Sequence, residues 1–474
     1  MDVHTSSGPS QFVRALSLIG FLTVLGLIIS LNLTQSPDGG LTLVLLLFIL
    51  LPAIVLAFTD SKFLVTYILA VWAFAPEVRR VVDWQAGEFH SLSVLSLAPL
   101  LVTALLLVPL KRHPPTLTRP VRRALQGLGL ALFYGLVIGS LHNGFAVFYD
   151  LAGYVLPMLL FLYLISCRIT SQQRDNYIAS FVTVAVVVAV YGWIQYLFAP
   201  AWDTFWMRST AMVTNGLPEP LKIRVFSTLN SPLPAGIFLA TALAAMVVER
   251  RWRGMFGGLG ILLVASALAL TLVRSAWLML IVMILVYTIR SSKKHRLQAV
   301  SGTIIGSLTL FFLVPLLPGG KTVTERVQTI GTLHQDNSYQ ARSEFAFDFL
   351  PVIMSKPAGM GLGTVGLGSK VETNGKGDAL VNFDNGYWAI LITFGLVGGF
   401  LVFRALYLLG MSITVVKAVE ARPYASFGVA VLWSVVFGLT SVNILSNVGG
   451  VIIWFMLGLG TCPIRQTSEG ASSP

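Results

Sequence analysis

Apolar residues gather into runs of about 16–22 positions, separated by short polar or basic stretches. Runs of this length cross a bilayer as helices; a membrane β-barrel would instead show alternating segments of about ten residues. Fourteen runs predict spanning helices, near residues 13–31, 41–58, 62–76, 92–109, 124–141, 150–167, 176–197, 233–249, 254–272, 275–290, 299–317, 387–416, 425–443 and 446–463. The 387–416 run is long, and Gly395, Gly398 and Gly399 are candidates to break it into a half-helix plus a span. The expected fold class is all-α, a polytopic transmembrane bundle of about 12–14 spans. Residues 1–317 form its N-terminal bundle, 318–386 a large, partly helical outer loop, and 387–474 the C-terminal transmembrane helices.

Composition requires lipid as the solvent. Of the residues, 55% are hydrophobic and 11% charged, with a mean hydropathy of +0.80, whereas soluble domains carry about 25% charged residues. The net charge of +12 would suggest nucleic acid in a soluble protein. Here the Lys/Arg excess of cytoplasmic loops accounts for it, and no nucleic-acid partner is expected. The first run begins near Phe12 after a polar stretch, without a clear cleavage site, and predicts a first spanning helix rather than a cleaved signal.

The basic loops set an orientation. Lys111 through Arg123, Arg250 through Arg253, Arg290 through Arg296 and Lys417 through Arg422 all fall on one side of the fourteen predicted spans. That side is expected to be the cytoplasm, with both termini there. Cys167 and Cys462 map to it too, so a structural disulfide is not expected. The opposite face then holds 77–91, 142–149, 198–232 and 318–386. The last contains a predicted amphipathic helix from about Ser338 to Met354, with Phe345, Phe349 and Val352 on one face. A glycine-rich turn, Gly359–Gly363, follows it.

Several arginines break the charge rule on that outer face: Arg79, Arg80, Arg224, Arg274 and Arg342. Arg274 interrupts the apolar stretch 254–290, which is too long for one span and must turn there. A guanidinium at so tight a hairpin is costly unless it faces a cavity or a partner, although it could also snorkel to lipid phosphates. Several arginines at a membrane surface suit a phosphate-bearing lipid, because the guanidinium fork matches phosphate oxygens and stays charged. An inorganic anion is a second possibility for the same donors. His334 has no His/Cys/Asp neighbours at metal-ligand spacing, and neither metal nor cofactor is expected.

Three segments then resemble the O-antigen ligase and polysaccharide polymerase superfamily of bacterial inner membranes. Arg224 through Gly236, with Asn230 and Pro232, is similar to its arginine–Asn–Pro signature leading into a helix. Leu270 through Trp277 resembles its Ser-Arg-Gly-Ala-Trp turn, with Val273 and Ser275 flanking Arg274 here. Arg342 through the Gly359–Gly363 turn to Phe383-Asp384-Asn385-Gly386-Tyr387-Trp388 and Phe394–Gly398 resembles the end of the large periplasmic loop and its return into the membrane. Pro76–Trp84 and Tyr191–Trp206 resemble exopolysaccharide-polymerase relatives.

The resemblance implies a GT-C-like fold in the inner membrane, with the active site facing the periplasm. It implies transfer of a glycan from an undecaprenyl-diphosphate lipid to a sugar hydroxyl by a metal-independent, inverting glycosyltransferase. Arg224 and Arg274 are then the catalytic donors that meet charge on the leaving diphosphate. Asp384 is the candidate base for the acceptor hydroxyl, where ligases of the superfamily carry a histidine. Asp384 and Asn385 also suit a helix N-cap before Tyr387. Arg342, Arg79, Arg80, Asn230, Asn385 and Tyr387 are the candidate contacts to diphosphate or glycan. Membrane lipids, a chain-length regulator and a flippase are the further expected partners.

The expected function is polymerisation of lipid-linked repeat units into exopolysaccharide or O-antigen. The alternatives are a ligase transferring the glycan to lipid A–core or protein, and an anion or bicarbonate transporter. Aspartate in place of histidine favours the polymerase. Unusual residues clustered at one face, with no visible inverted repeat, weigh against the transporter.

Overall fold

A computed structural model describes residues 40–90, 93–167, 169–210, 213–292, 296–297, 300–301, 323, 350–351, 353–366, 385–414 and 421–462. The apolar runs within these segments fold as helices: α1 Gly40–Phe58, α2 Phe63–Ala86, α3 Ala98–Ala104, α4 Leu107–Arg112, α5 Arg119–Ser140, α6 Ala146–Ser166 and α7 Ser171–Phe198. There follow α8 Ala201–Thr210, α9 Pro232–Val248, α10 Gly257–Leu270, α11 Arg274–Arg290, α12 Gly386–Thr414, α13 Arg422–Gly438 and α14 Asn447–Thr461. Among the described residues there is no strand, only an isolated bridge between Gly216 and Ile223. Six helical segments are long and apolar enough to cross a membrane, with shorter apolar helices beside them. The chain is an all-α, polytopic integral membrane protein. The span predicted at 13–31 and all but residues 300–301 of that predicted at 299–317 lie outside the described residues, as does most of the helix predicted at Ser338–Met354.

Two predicted spans differ from the hydropathy pattern for local reasons, and the helix α8 lies in the segment 198–232 between spans. The span predicted at 62–76 continues as helix to Ala86, because Glu77, Arg80, Arg79 and Asp83 pair along it at helical spacing. It stops at Gly87, whose left-handed φ of 67° caps it. The run 92–109 divides into α3 and α4 because Pro109 has no N–H for the Leu105 carbonyl, which Val108 takes instead. Helix α12 breaks at Gly395 (φ 66°, ψ −175°), one of its three candidate glycines.

Side-chain contacts sort the loops into two ends. Arg112 reaches Asp60 (3.1 Å), and Arg174 donates to the Leu459 carbonyl at 3.0 Å and to that of Cys462. Asp175 accepts from Trp252 and Tyr424 (2.7 Å each) and lies 3.5 Å from Arg251. The basic segments after α4 and α9 and the start of α13 therefore share one end with both cysteines. At the opposite end, Arg80 contacts the Ser227 and Leu229 carbonyls. Arg224 contacts the α10–α11 turn, and Gly386 donates to the Leu439 carbonyl (2.7 Å). The C-terminal helices pack among the earlier ones, α12 on α5, α14 on α6 and α13 on α11.

Candidate functional site

The end opposite the basic loops is built around four arginines with different surroundings: Arg79, Arg80, Arg224 and Arg274. Arg80, on the extension of α2, is fully buried. Its Nε lies 3.0 Å from Asp203 Oδ1, and the Asp203 side chain is equally buried. Its terminal nitrogens donate to Glu77 and to the Ser227 and Leu229 carbonyls at 2.6 Å each. The guanidinium also stacks over Phe226, 4.9 Å from the ring centre. A desolvated guanidinium persists only when charge and hydrogen bonds both compensate it. Arg80 thus ties α2 and α8 to the segment 226–229.

Gln195 completes the tie from α7. Its Oε1 accepts from the Phe226 N–H (3.0 Å) and the Ser227 N–H (2.8 Å), and its Nε2 donates to Asp203 (2.9 Å). These bonds hold Ser227 at φ 53°, a left-handed conformation that costs a serine about 1–2 kcal/mol. The Tyr191 hydroxyl lies between the Glu77 and Asp203 carboxylates, 2.9 Å from Asp203 Oδ2. Burial pushes the Asp203 carboxyl up to about 6, against the opposing pull of Arg80. Arg79 faces a separate set: Asp83 at 3.4 Å, Ser96 at 3.0 Å and the His90 carbonyl.

Arg224 contacts the turn that leads into Arg274. The segment carrying Arg224 pairs with the end of α10 through Val225 N–H and the Leu270 carbonyl (3.1 Å). The Arg224 guanidinium then donates to the Thr271 and Leu272 carbonyls (3.3 Å each) and to Thr214 (3.0 Å). Leu272 turns the chain with a φ of 55°, and α11 begins two residues later at Arg274. The arginine of the first sequence signature therefore braces the turn that presents the arginine of the second. Both side chains are partly exposed.

The remaining sequence-predicted residues spread around this end. Asn230 is exposed beside the Arg80 tie, just ahead of α9. The Asn385 side chain caps α12, accepting the Trp388 N–H at 3.1 Å. Tyr387 donates to the Val436 carbonyl (2.5 Å) and stacks on Phe403. Asp384, Arg342 and His334 lie outside the described residues.

The Gly359–Gly363 turn is driven between helices. The N–H groups of Met360, Gly361 and Leu362 donate to the carbonyls of Ile392 (2.7 Å), Thr393 (3.0 Å) and Gly135 (2.8 Å). Gly363 donates to the buried Asp150 carboxylate (2.9 Å), and the Asn143 amide donates to the Leu362 carbonyl (2.7 Å). These turn N–H groups are engaged within the protein, so the turn fastens α5, α6 and the α12 break together instead of cradling a phosphate. Its glycines are required: a Cβ on Gly361 would lie 2.0 Å from the Gly139 nitrogen, and Gly361 has a φ of 85°.

Sequence reasoning missed Asp203, Gln195 and Asp150. Each sits within an apolar helix or next to one, and its role shows only in a partner about 30 to over 200 residues away: Phe226 for Gln195, Arg80 for Asp203 and Gly363 for Asp150.

Residues 259–403 match the sequence model of the O-antigen ligase family. The match begins in α10, contains Arg274 and its hairpin, and runs through the glycine turn to the kinked half of α12. It supports assignment to the O-antigen ligase superfamily and a glycan ligase- or polymerase-type enzyme. No curated protein matches the chain.

Proposed function

We propose that this protein polymerises undecaprenyl-diphosphate-linked oligosaccharide repeat units into exopolysaccharide or O-antigen. The observation that carries the reading is the bracing of the Arg274 turn by Arg224, at the start of the family-matched segment. Two guanidiniums held on one turn supply preset positive charge where a lipid diphosphate leaves, and electrostatic preorganisation of this kind lowers a barrier without reorganisation cost. By the positive-inside rule the basic loops face the cytoplasm, so this turn faces the periplasm and both termini are cytoplasmic.

In the proposed reaction an acceptor sugar hydroxyl attacks the anomeric carbon of the donor with inversion. The new C–O bond forms as the bond to the diphosphate breaks, and undecaprenyl diphosphate departs. Asp384 takes the hydroxyl proton, next to the Asn385 cap that fixes the start of α12. Arg342 joins Arg224 and Arg274 at the diphosphate, while Asn230 and Tyr387 line the glycan path. Arg79 and Arg80, held by Asp83, Glu77 and Asp203, support this face. The division into an N-terminal bundle (1–317), outer loop (318–386) and C-terminal helices (387–474) assigns acceptor chemistry to the loop and its return.

The family match also favours a second reading, a ligase that moves a finished glycan to lipid A–core or protein. The deciding experiment is reconstitution in lipid with undecaprenyl-diphosphate-linked repeat units and no other acceptor. A ladder of longer lipid-linked glycans that disappears with Asp384→Asn supports the polymerase. Product only after lipid A–core is added means ligase, and no transfer with either acceptor removes the enzymatic reading.

A further inference from the structure

At the basic end, far from the arginine turn, α11, α12 and α13 leave a cavity of about 330 Å³. Arg290 and Arg422 line it with Thr414 and Ser426, and Ile289, Ile413 and Ala425 complete the wall. No carboxylate is among the described residues that line it. Two guanidiniums facing one space repel each other unless an anion lies between them. The Arg290 Nε is buried without a hydrogen-bond partner, which is expensive for a cationic donor. Arg422 is the first residue of α13, so the positive end of a 17-residue helix points the same way.

The surrounding surface indicates where the anion comes from. Ile281, Leu285 and Ile289 are exposed on α11 at four-residue spacing, by 57%, 55% and 64%. That spacing makes one continuous apolar stripe along the helix, and it ends at the cavity. An apolar stripe leading to a two-arginine cleft at a membrane boundary matches a phospholipid, acyl chain along the stripe and phosphate in the cleft.

We propose that this cleft binds a phosphate group, supplied by an anionic phospholipid of the adjacent leaflet. Arg290 and Arg422 hold the phosphate oxygens, and Ile281, Leu285 and Ile289 contact the acyl chain. The site is independent of the glycan-transfer reading, since none of its residues belongs to the opposite end.

The test is native mass spectrometry of the full chain in detergent, titrated with phosphatidylglycerol, phosphatidylcholine or inorganic phosphate. The expected result is a preference for phosphatidylglycerol that falls on the order of tenfold in the Arg290→Ala/Arg422→Ala double variant. An Arg122→Ala/Arg123→Ala variant, removing two exposed arginines near the start of α5, should bind as the unaltered protein does. Equal binding by the cleft variant, or an equal loss in the control, would overturn the site. Inorganic phosphate displacing the lipid at millimolar concentration, in an Arg290-dependent way, would retain the phosphate site and overturn its lipid source. Arg290→Lys and Arg422→Lys keep the charge should the alanine variant unfold, and they should recover only part of the binding because the fork is lost.

Discussion

The Arg224 guanidinium donates to the Leu272 carbonyl at 3.3 Å, two residues ahead of Arg274. Leu272 is left-handed there, a conformation a leucine avoids, so the turn depends on bonds made from outside it. Arg224→Ala should therefore remove both a proposed diphosphate donor and the brace of the other. Arg274→Ala removes the second proposed donor and leaves the Arg224 brace on Thr271 and Leu272 in place. Both variants should insert normally and lose glycan product by at least about a hundredfold, the range for one preorganised donor. Thermal unfolding in detergent separates them: Arg224→Ala should melt lower than Arg274→Ala. Normal product length and yield from Arg274→Ala would end the diphosphate-clamp reading.

Arg80 gives a stability prediction. It is buried with Asp203 and Glu77 around it, so removing it strands two carboxylates away from water. Arg80→Ala should destabilise the fold by roughly 3–5 kcal/mol, the cost of breaking a buried pair from one side. Arg80→Lys should recover little, because one ammonium cannot serve Asp203, Glu77 and two carbonyls in their planar arrangement. Unfolding temperatures of the purified variants test this, and a lysine variant as stable as the parent would refute it.

Asp203 predicts a pH dependence. Its folded carboxyl is raised to about 6 by burial, above the ordinary value near 4 of an unfolded chain. A raised carboxyl binds its proton more tightly when folded, so its contribution to stability is fully present below about pH 4 and is lost as pH rises through about 6. Asp203→Asn, which cannot ionise, should flatten the change in unfolding temperature between about pH 4 and pH 7. A variant profile parallel to that of the parent would assign the dependence to other groups.

The glycine turn separates backbone strain from close approach. Gly361 and Gly366 both have left-handed φ values, 85° and 78°. A Cβ on Gly361 would strike the Gly139 backbone, whereas one on Gly366 would meet nothing within 4 Å. Gly366→Ala should cost about 1–2 kcal/mol, the conformational penalty alone. Gly361→Ala should cost several kcal/mol more and loosen the packing of α5 against α12, since backbone cannot give way as a side chain can. Comparable unfolding temperatures for the two would remove the close-approach argument.

Hydropathy made much of the architecture legible. A run of apolar residues long enough to span a bilayer has few alternatives to helix, because lipid offers the backbone no hydrogen bonds. A break in α12 was legible too, at one of Gly395, Gly398 and Gly399, and the structure puts it at Gly395, a conformation only glycine adopts cheaply. Arg274 stood out as a charge in an apolar stretch, and the family match covers the segment around it.

The sequence by itself determined the helical bundle, the position of its tight turns and the grouping of its basic loops, because each follows from local burial and charge. Only the tertiary structure decided what the arginines do for the fold. Arg79 and Arg80 are neighbours in sequence, yet one pairs with Asp83 and the other with Asp203 and the 227–229 carbonyls. Arg224 contacts the turn that leads into Arg274, fifty residues further along the sequence. Hydrogen bonds and ion pairs act over a few ångströms, so their partners are chosen by how the helices pack and not by their order along the chain.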